Sequence, residues 1–164
     1  MQELVELVEA MSQPRVVLLG DYMLDRWVYG NTDRLSQEAP VPILHVTRSD
    51  ERAGAAGNVA AAIVALGGRA DCVGAIGADD EGLQVMRLLA DAGAGTEGML
   101  SAPDRQTTVK TRYVGLAQHK NEQQILRVDS EVTDGLAPAV WQELLAKLTG
   151  RLVGDGVLVK VLAG

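Results

Sequence analysis

Leu4, Val5, Leu7, Val8 and Met11 recur at helical spacing, so residues 2–11 are expected to form a short amphipathic helix. Arg15 to Leu19 is an apolar run closed by Gly20-Asp21, the pattern of a buried parallel strand. The character then changes. Trp27-Val28-Tyr29 and Val41 to Val46 are β-prone, separated by Gly30-Asn31 and bounded by Pro40 and Pro42, which predicts short exposed strands. Residues 56–66 are small and Ala-rich, a helix ended by Gly67-Gly68. Cys72 to Ile76 reads as a second buried strand, Asp80 to Ala92 as a helix and Gly98 to Leu100 as a third strand. From Thr107 to Val128 β-like alternation returns, with a polar turn near His119-Lys120-Asn121. A helix over Asp134 to Leu148 and a strand over Gly156 to Leu162 complete the pattern.

Strands alternating with helices of this length predict an α/β fold with a parallel sheet flanked by helices. The β-rich inserts, about 26–48 and 107–129, break that rhythm and are expected to form a separate small sheet projecting from the body. A chain of 164 residues and 17.4 kDa has room for one domain of this kind, here with a subdomain.

Composition narrows the function. Hydrophobic residues are 47% and charged residues 23%, a globular balance, and no run approaches the ~20 apolar residues that span a bilayer. The first residues carry no positive segment followed by an apolar one, so no secretory signal is expected. A single cysteine, Cys72, leaves no internal disulfide and agrees with a reducing, cytoplasmic setting. The net charge of −7 argues against a nucleic-acid partner, which requires a basic footprint. His45 and His119 lack metal-ligand spacing, so no metal site is expected from them.

Two phosphate-binding signatures fail. No GxxxxGK[ST] loop is present, and Gly93-Ala94-Gly95-Thr96-Glu97-Gly98 follows a helix and leads into a strand. The dinucleotide fingerprint needs the reverse order, so this copy is a helix end and connecting turn. More informative is Glu51-Arg52-Ala53-Gly54-Ala55-Ala56-Gly57-Asn58-Val59-Ala60, with Gly67 and Gly77 following. Small residues such as Gly54 let backbone pass close to a ligand, and Asn58 has the donors and acceptors to meet sugar hydroxyls. A helix cap at Asn58 is the competing reading. Asp21 and Asp25 stand just past the carboxyl end of the first strand, where open α/β sheets bind ligands. For Asp25 a capped turn, paired to Arg26 or Arg34, is the alternative.

These elements together resemble the ribokinase-like carbohydrate kinases, whose first signature matches the run from Ala53 through Asn58, Ala60, Gly67 and Gly77. Within that family the chain is similar to the heptose 7-phosphate kinases of ADP-heptose synthesis. The phrases that carry this are Gly20-Asp21-Tyr22-Met23-Leu24-Asp25-Arg26-Trp27, Tyr29-Gly30, Ser36-Gln37-Glu38-Ala39-Pro40-Val41-Pro42 and Gln123-Gln124-Ile125-Leu126-Arg127-Val128-Asp129. The resemblance implies a ribokinase-like sheet with a small β-lid that often pairs two subunits. It also implies ATP with Mg2+, and phosphoryl transfer to the anomeric hydroxyl of D-glycero-D-manno-heptose 7-phosphate, within lipopolysaccharide core synthesis. Asp21, Asp25 and Asn58 would then hold the sugar, and the lid around Glu38 to Pro42 would shield it from water.

The substrate's own phosphate calls for cations. No acid lies between Arg105 and Lys120, and Lys110 and Arg112 share one face of a strand, a candidate phosphate clamp. Charge protecting an edge strand is an equal alternative, and Arg127 either assists or pairs with Asp129.

The chain also departs from the family. Ala55 and Ala53 replace the usual Gly and Pro, and Gln37 replaces a Pro. The Gly-Ala-Gly-Asp sequence that carries the family's catalytic Asp does not occur; Asp91-Ala92-Gly93-Ala94-Gly95-Thr96 imitates it but has Thr in place of the acid and sits at a helix end. The expectation is therefore an N-terminal portion of a kinase domain, without catalytic base or ATP site and inactive alone, its last strand leaving a parallel edge open. A non-catalytic sugar-phosphate-binding or lid-dimerisation module, or a kinase of the same family for another sugar, is the alternative.

Overall fold

Asp21 and Ala55 are the two points at which the chain leaves and re-enters its central sheet. The structure is a computed structural model that describes residues 4–5, 13–116, 121–152 and 157–161. Of the expected first helix only Leu4 and Val5 fall within these residues, and both are helical; the His119-Lys120 turn lies outside them.

Four parallel strands form the central sheet: β1 (Arg15–Gly20), β4 (Arg69–Gly77), β5 (Gly95–Ala102) and β8 (Val157–Val161), in the order β5-β4-β1-β8. β1 occupies the interior, as its apolar run requires, with Val17 and Leu18 fully buried on opposite faces. Against the Leu18 face pack two helices, α1 (Ala56–Ala65) through Ala56 and Ala60 and α2 (Asp80–Asp91) through Val85 and Leu89. A third helix, α3 (Pro138–Arg151), covers the Val17 face with Leu144 and Leu148. Each fully buried Leu or Val contributes about 1.5–3 kcal/mol over an exposed one. Cys72 lies in this core, where burial pushes its thiol up and keeps it in the inert protonated form.

The second sheet is the lid, β2 (Tyr22–Leu35), β3 (Pro42–Ala55), β6 (Val109–Leu116) and β7 (Glu122–Ser130), ordered β3-β2-β6-β7. The two inserts do join in one sheet, but their strands are longer than expected. β2 and β3 pair from Tyr22↔Ala55 at the base to Leu35↔Pro42 at the tip, so the strand runs on through Glu51 to Ala55, past the expected end of the insert near residue 48. Small residues are admissible there because their hydrogen bonds come from β2, a partner that local composition does not reveal. Gly30-Asn31 likewise does not separate strands; it lies inside β2 at a register shift. The hairpin turn is instead Ser36 to Val41, closed by the Ser36 N–H donating to the Val41 carbonyl at 2.9 Å.

α3 begins at Pro138, not Asp134. Proline fits the first helical turn because its nitrogen needs no partner there, whereas Gly135 resists helix initiation. α2 ends at Asp91 and β5 starts at Gly95, so the glycine pattern between them is a helix-to-strand connection, as expected. α1 starts at Ala56, capped by Ala55 without a side-chain hydrogen bond, so Asn58 is not its cap.

Ala55 itself has φ 49° and ψ −118°, and is the one non-glycine residue with positive φ among those described. An L side chain there costs on the order of 1–3 kcal/mol. Glycine relieves that strain while adding about 0.4–1 kcal/mol of unfolded-state entropy cost. Ala55→Gly is therefore expected to raise the unfolding free energy by about 1 kcal/mol in urea denaturation, with unchanged m-value; a loss of stability contradicts the strain.

Candidate functional site

β1 ends at Gly20, and Asp21 follows at the carboxyl end of the sheet, where loops rather than side chains cover the strand tips. The lid rises from the same point and forms an opposite wall. Between them is a cavity of about 360 Å3. Asp21 and Ile76 come from the ends of β1 and β4, Arg105 and Thr107 from the loop before β6, Lys110 from β6, and Arg127 from β7. A neighbouring hollow of about 260 Å3 shares Asp21 and Arg105 and adds Trp141 and Lys160.

The cavity mixes signs. Arg127 is held by Asp129, Nε to Oδ1 at 2.9 Å, so of the two expected roles the structure shows the ion pair, although both residues line the cavity. Arg105 donates from Nη1 to the Asp134 carbonyl at 3.2 Å. Lys110 is half-buried in the wall and makes no ion pair among the described residues. Its register neighbours on β2 and β7 are Asp25 and Asp129, which form their ion pairs with Arg112 and Arg127, so the Lys110 ammonium is left available to an anionic ligand.

The sequence-expected residues divide into groups. Asp21 and Lys110 share the cavity. Asp25 and Arg112 lie beside it on the same lid face, since Asp25 is the register neighbour of Lys110 across β2 and β6. Arg112 Nη1 meets Asp25 Oδ1 at 2.5 Å while its guanidinium lies 4.9 Å over Trp27. Asp25 thus pairs with Arg112, a residue 87 positions away, rather than with Arg26 or Arg34; Arg26 holds Glu51 at 2.7 Å. Gly54 has a specific reason to be glycine: a Cβ there would sit 2.7 Å from Asp25 Oδ2. Asn58 is exposed on the first turn of α1 and does not line the cavity.

Sequence reasoning missed Arg105, Thr107 and Asp129 as wall residues. Arg105 opens the acid-free stretch and was within reach of the charge argument. Thr107 offered no local signal. It is the single buried polar side chain among the described residues, 3% exposed. Its hydroxyl donates to Asp79 Oδ1 at 2.6 Å and accepts from the Gly77 N–H at 2.9 Å. Asp79 also caps α2 by accepting from the Gly82 N–H at 2.8 Å. Burial alone raises the Asp79 pKa, but hydrogen bonds from the Thr107 hydroxyl and N–H and from Gly82 outweigh it and hold the carboxyl below its ordinary value.

No cluster of three or more His, Cys, Asp or Glu able to hold a metal ion occurs among the described residues. No helix among them is long and apolar enough to cross a membrane.

Comparison with known proteins places this geometry. The model of the pfkB family carbohydrate kinases matches residues 13–148. The bifunctional protein HldE of Paramagnetospirillum magneticum is 40% identical over 156 residues, 95% of this chain and 31% of that protein. The D-beta-D-heptose 7-phosphate kinase of Bordetella bronchiseptica is 39% identical over 142 residues, 83% of this chain and 44% of that one. The chain thus spans less than half the length of these relatives. Among solved structures, phosphofructokinase-2 from Escherichia coli in complex with fructose-6-phosphate aligns at TM-score 0.64 and 22% identity, over 90% of this chain and 45% of that one. The fold is the ribokinase-like α/β sheet with its lid, and the chain belongs to the pfkB family of carbohydrate kinases.

Proposed function

We propose that this chain is the acceptor-binding portion of a heptose 7-phosphate kinase, which moves the γ-phosphoryl group of ATP to the anomeric hydroxyl on the way to ADP-heptose. The observation that carries the reading is a cavity at the sheet's carboxyl end with Asp21 on one wall and, on the other, Lys110, which makes no ion pair among the described residues. The 39–40% identity to HldE and to a heptose 7-phosphate kinase supports the choice of sugar. In this reading Asp21 accepts hydrogen bonds from sugar hydroxyls and Lys110, with Arg105, holds the phosphate the sugar already carries. Asp25, Gly54 and Arg112 shape the adjoining lid face, Arg112 acting through Asp25 because the two neutralise each other. Asn58 reaches the sugar only if the lid and α1 approach one another when it binds. The lid strands keep water from the acceptor hydroxyl.

ATP brings the transferable phosphoryl group and its metal ion; no residue described here is assigned to that step. None of the described residues is assigned as the base or as the amides that receive the γ-phosphate. Calorimetry on the 164-residue protein tests the division. Heptose 7-phosphate is expected to bind and ATP is not. Lys110→Ala is expected to weaken heptose 7-phosphate at least tenfold and to leave the unphosphorylated heptose nearly unchanged. Equal losses for both sugars, or binding of ATP alone, contradict the assignment.

A second reading, pairing of two copies through the lid, is favoured by one observation. Leu126 and Val128 alternate onto one face of β7 and are 54% and 46% exposed. A homodimer would cover this stripe. Sedimentation velocity is expected to show a dimer that Leu126→Lys converts to monomer; a wild-type monomer at tens of micromolar contradicts lid pairing.

A further inference from the structure

Thr107 is anomalous in its surroundings. It is a polar side chain only 3% exposed, in the loop before β6, and has no part in the central sheet. Burying a hydroxyl is unfavourable unless every polar group finds a partner, and here each does. The hydroxyl bridges Asp79 Oδ1 and the Gly77 N–H, and the Thr107 N–H donates to Asp79 Oδ2 at 2.8 Å. One carboxylate therefore holds three donors from two elements, the Gly82 N–H of α2 and both groups of Thr107. Gly77 makes the approach feasible: a Cβ there would lie 2.6 Å from the Arg105 carbonyl oxygen and the Thr107 nitrogen.

What this clamp fixes is the root of β6. The next residue, Thr108, accepts from the Leu24 N–H of β2 at 2.9 Å, and Lys110 follows two positions later. Arg105 stands two positions before Thr107. The four consecutive cavity-wall positions Arg105, Gln106, Thr107 and Thr108 thus hang from the Asp79 carboxylate, together with Lys110. A hydroxyl used only for packing would need no such set of partners, and a valine would fill the same space.

We propose that Asp79 and Thr107 are a positioning pair: rigid with the core, they set where Arg105 and Lys110 present positive charge to a bound sugar phosphate. The Thr107 hydroxyl is committed to Asp79 and Gly77, and the pair acts through the backbone from Thr107 to Lys110. The affinity arm of the inference rests on the sugar-phosphate reading of the cavity, whereas its structural arm does not.

The test compares Thr107→Val, which keeps the volume and removes the hydroxyl, with Thr107→Ser, which keeps the hydroxyl. Asp79→Asn is a third variant; it retains an oxygen for Gly82 but turns an amide donor towards Thr107. Amide hydrogen exchange at Leu24 is read against the amides of central strand β1. In Thr107→Val and Asp79→Asn, Leu24 is expected to exchange at least tenfold faster while β1 does not change. The affinity for heptose 7-phosphate is expected to fall about tenfold, with Thr107→Ser close to wild type in both readouts. Parallel acceleration at Leu24 and β1 overturns the proposal, because it reports lost stability alone. So does a loosened Leu24 with unaltered affinity. A wild-type chain that binds no heptose 7-phosphate defeats the sugar-phosphate reading, and with it the affinity arm, while the exchange data still decide whether Thr107 anchors β6.

Discussion

The pairing of Tyr22-Met23-Leu24 with Ala53-Gly54-Ala55 is the constraint on which this molecule depends. Their backbones belong to the lid sheet, but Tyr22 and Leu24 pack into the main core. Leu24 is part of the main hydrophobic core although it lies in the lid, and the Tyr22 hydroxyl donates to the Leu18 carbonyl of β1 at 2.7 Å. The base of the lid is thereby continuous with the core. Close contact has its cost at Ala55, whose backbone adopts a conformation suited to glycine so that β3 can turn directly into α1.

Charge is distributed with the same economy. The cavity wall sets Arg105, Lys110 and Arg127 against Asp21, Asp129 and Glu131. Neighbouring carboxylates take up part of that charge: Asp129 holds Arg127 and Asp25 holds Arg112. Lys110 is left to face the cavity. Selective neutralisation of this kind makes an anion subsite specific in position, where a uniformly basic patch would bind polyanions of any shape.

Much of the main sheet was legible in the sequence because burial on both faces leaves a simple signature. Arg15 to Leu19 and Cys72 to Ile76 are continuous apolar runs, and α2 carries a strong amphipathic period that ends at Asp91. The lid was legible in existence and in its union of two distant inserts, but not in extent. Glu51 to Ala55 has the composition of a loop and becomes strand only because β2 lies alongside. The shared face of Lys110 and Arg112 followed from strand alternation. Their separate fates did not, since the Asp25 that claims Arg112 lies 87 positions away. Thr107 was invisible for the same reason: its partners, Gly77 and Asp79, meet it only in the folded chain.

The central claim, that a sugar phosphate occupies the cleft between sheet and lid, is tested most directly by nuclear magnetic resonance. Heptose 7-phosphate is titrated into the isotopically labelled chain, whose 17.4 kDa suits the method. The account predicts saturable amide shifts concentrated at Asp21, at Thr107 to Lys110 and at Arg127 to Asp129. Shifts confined instead to the apolar hollow formed by Leu83, Met86 and Met99, or their absence at millimolar sugar, would contradict it.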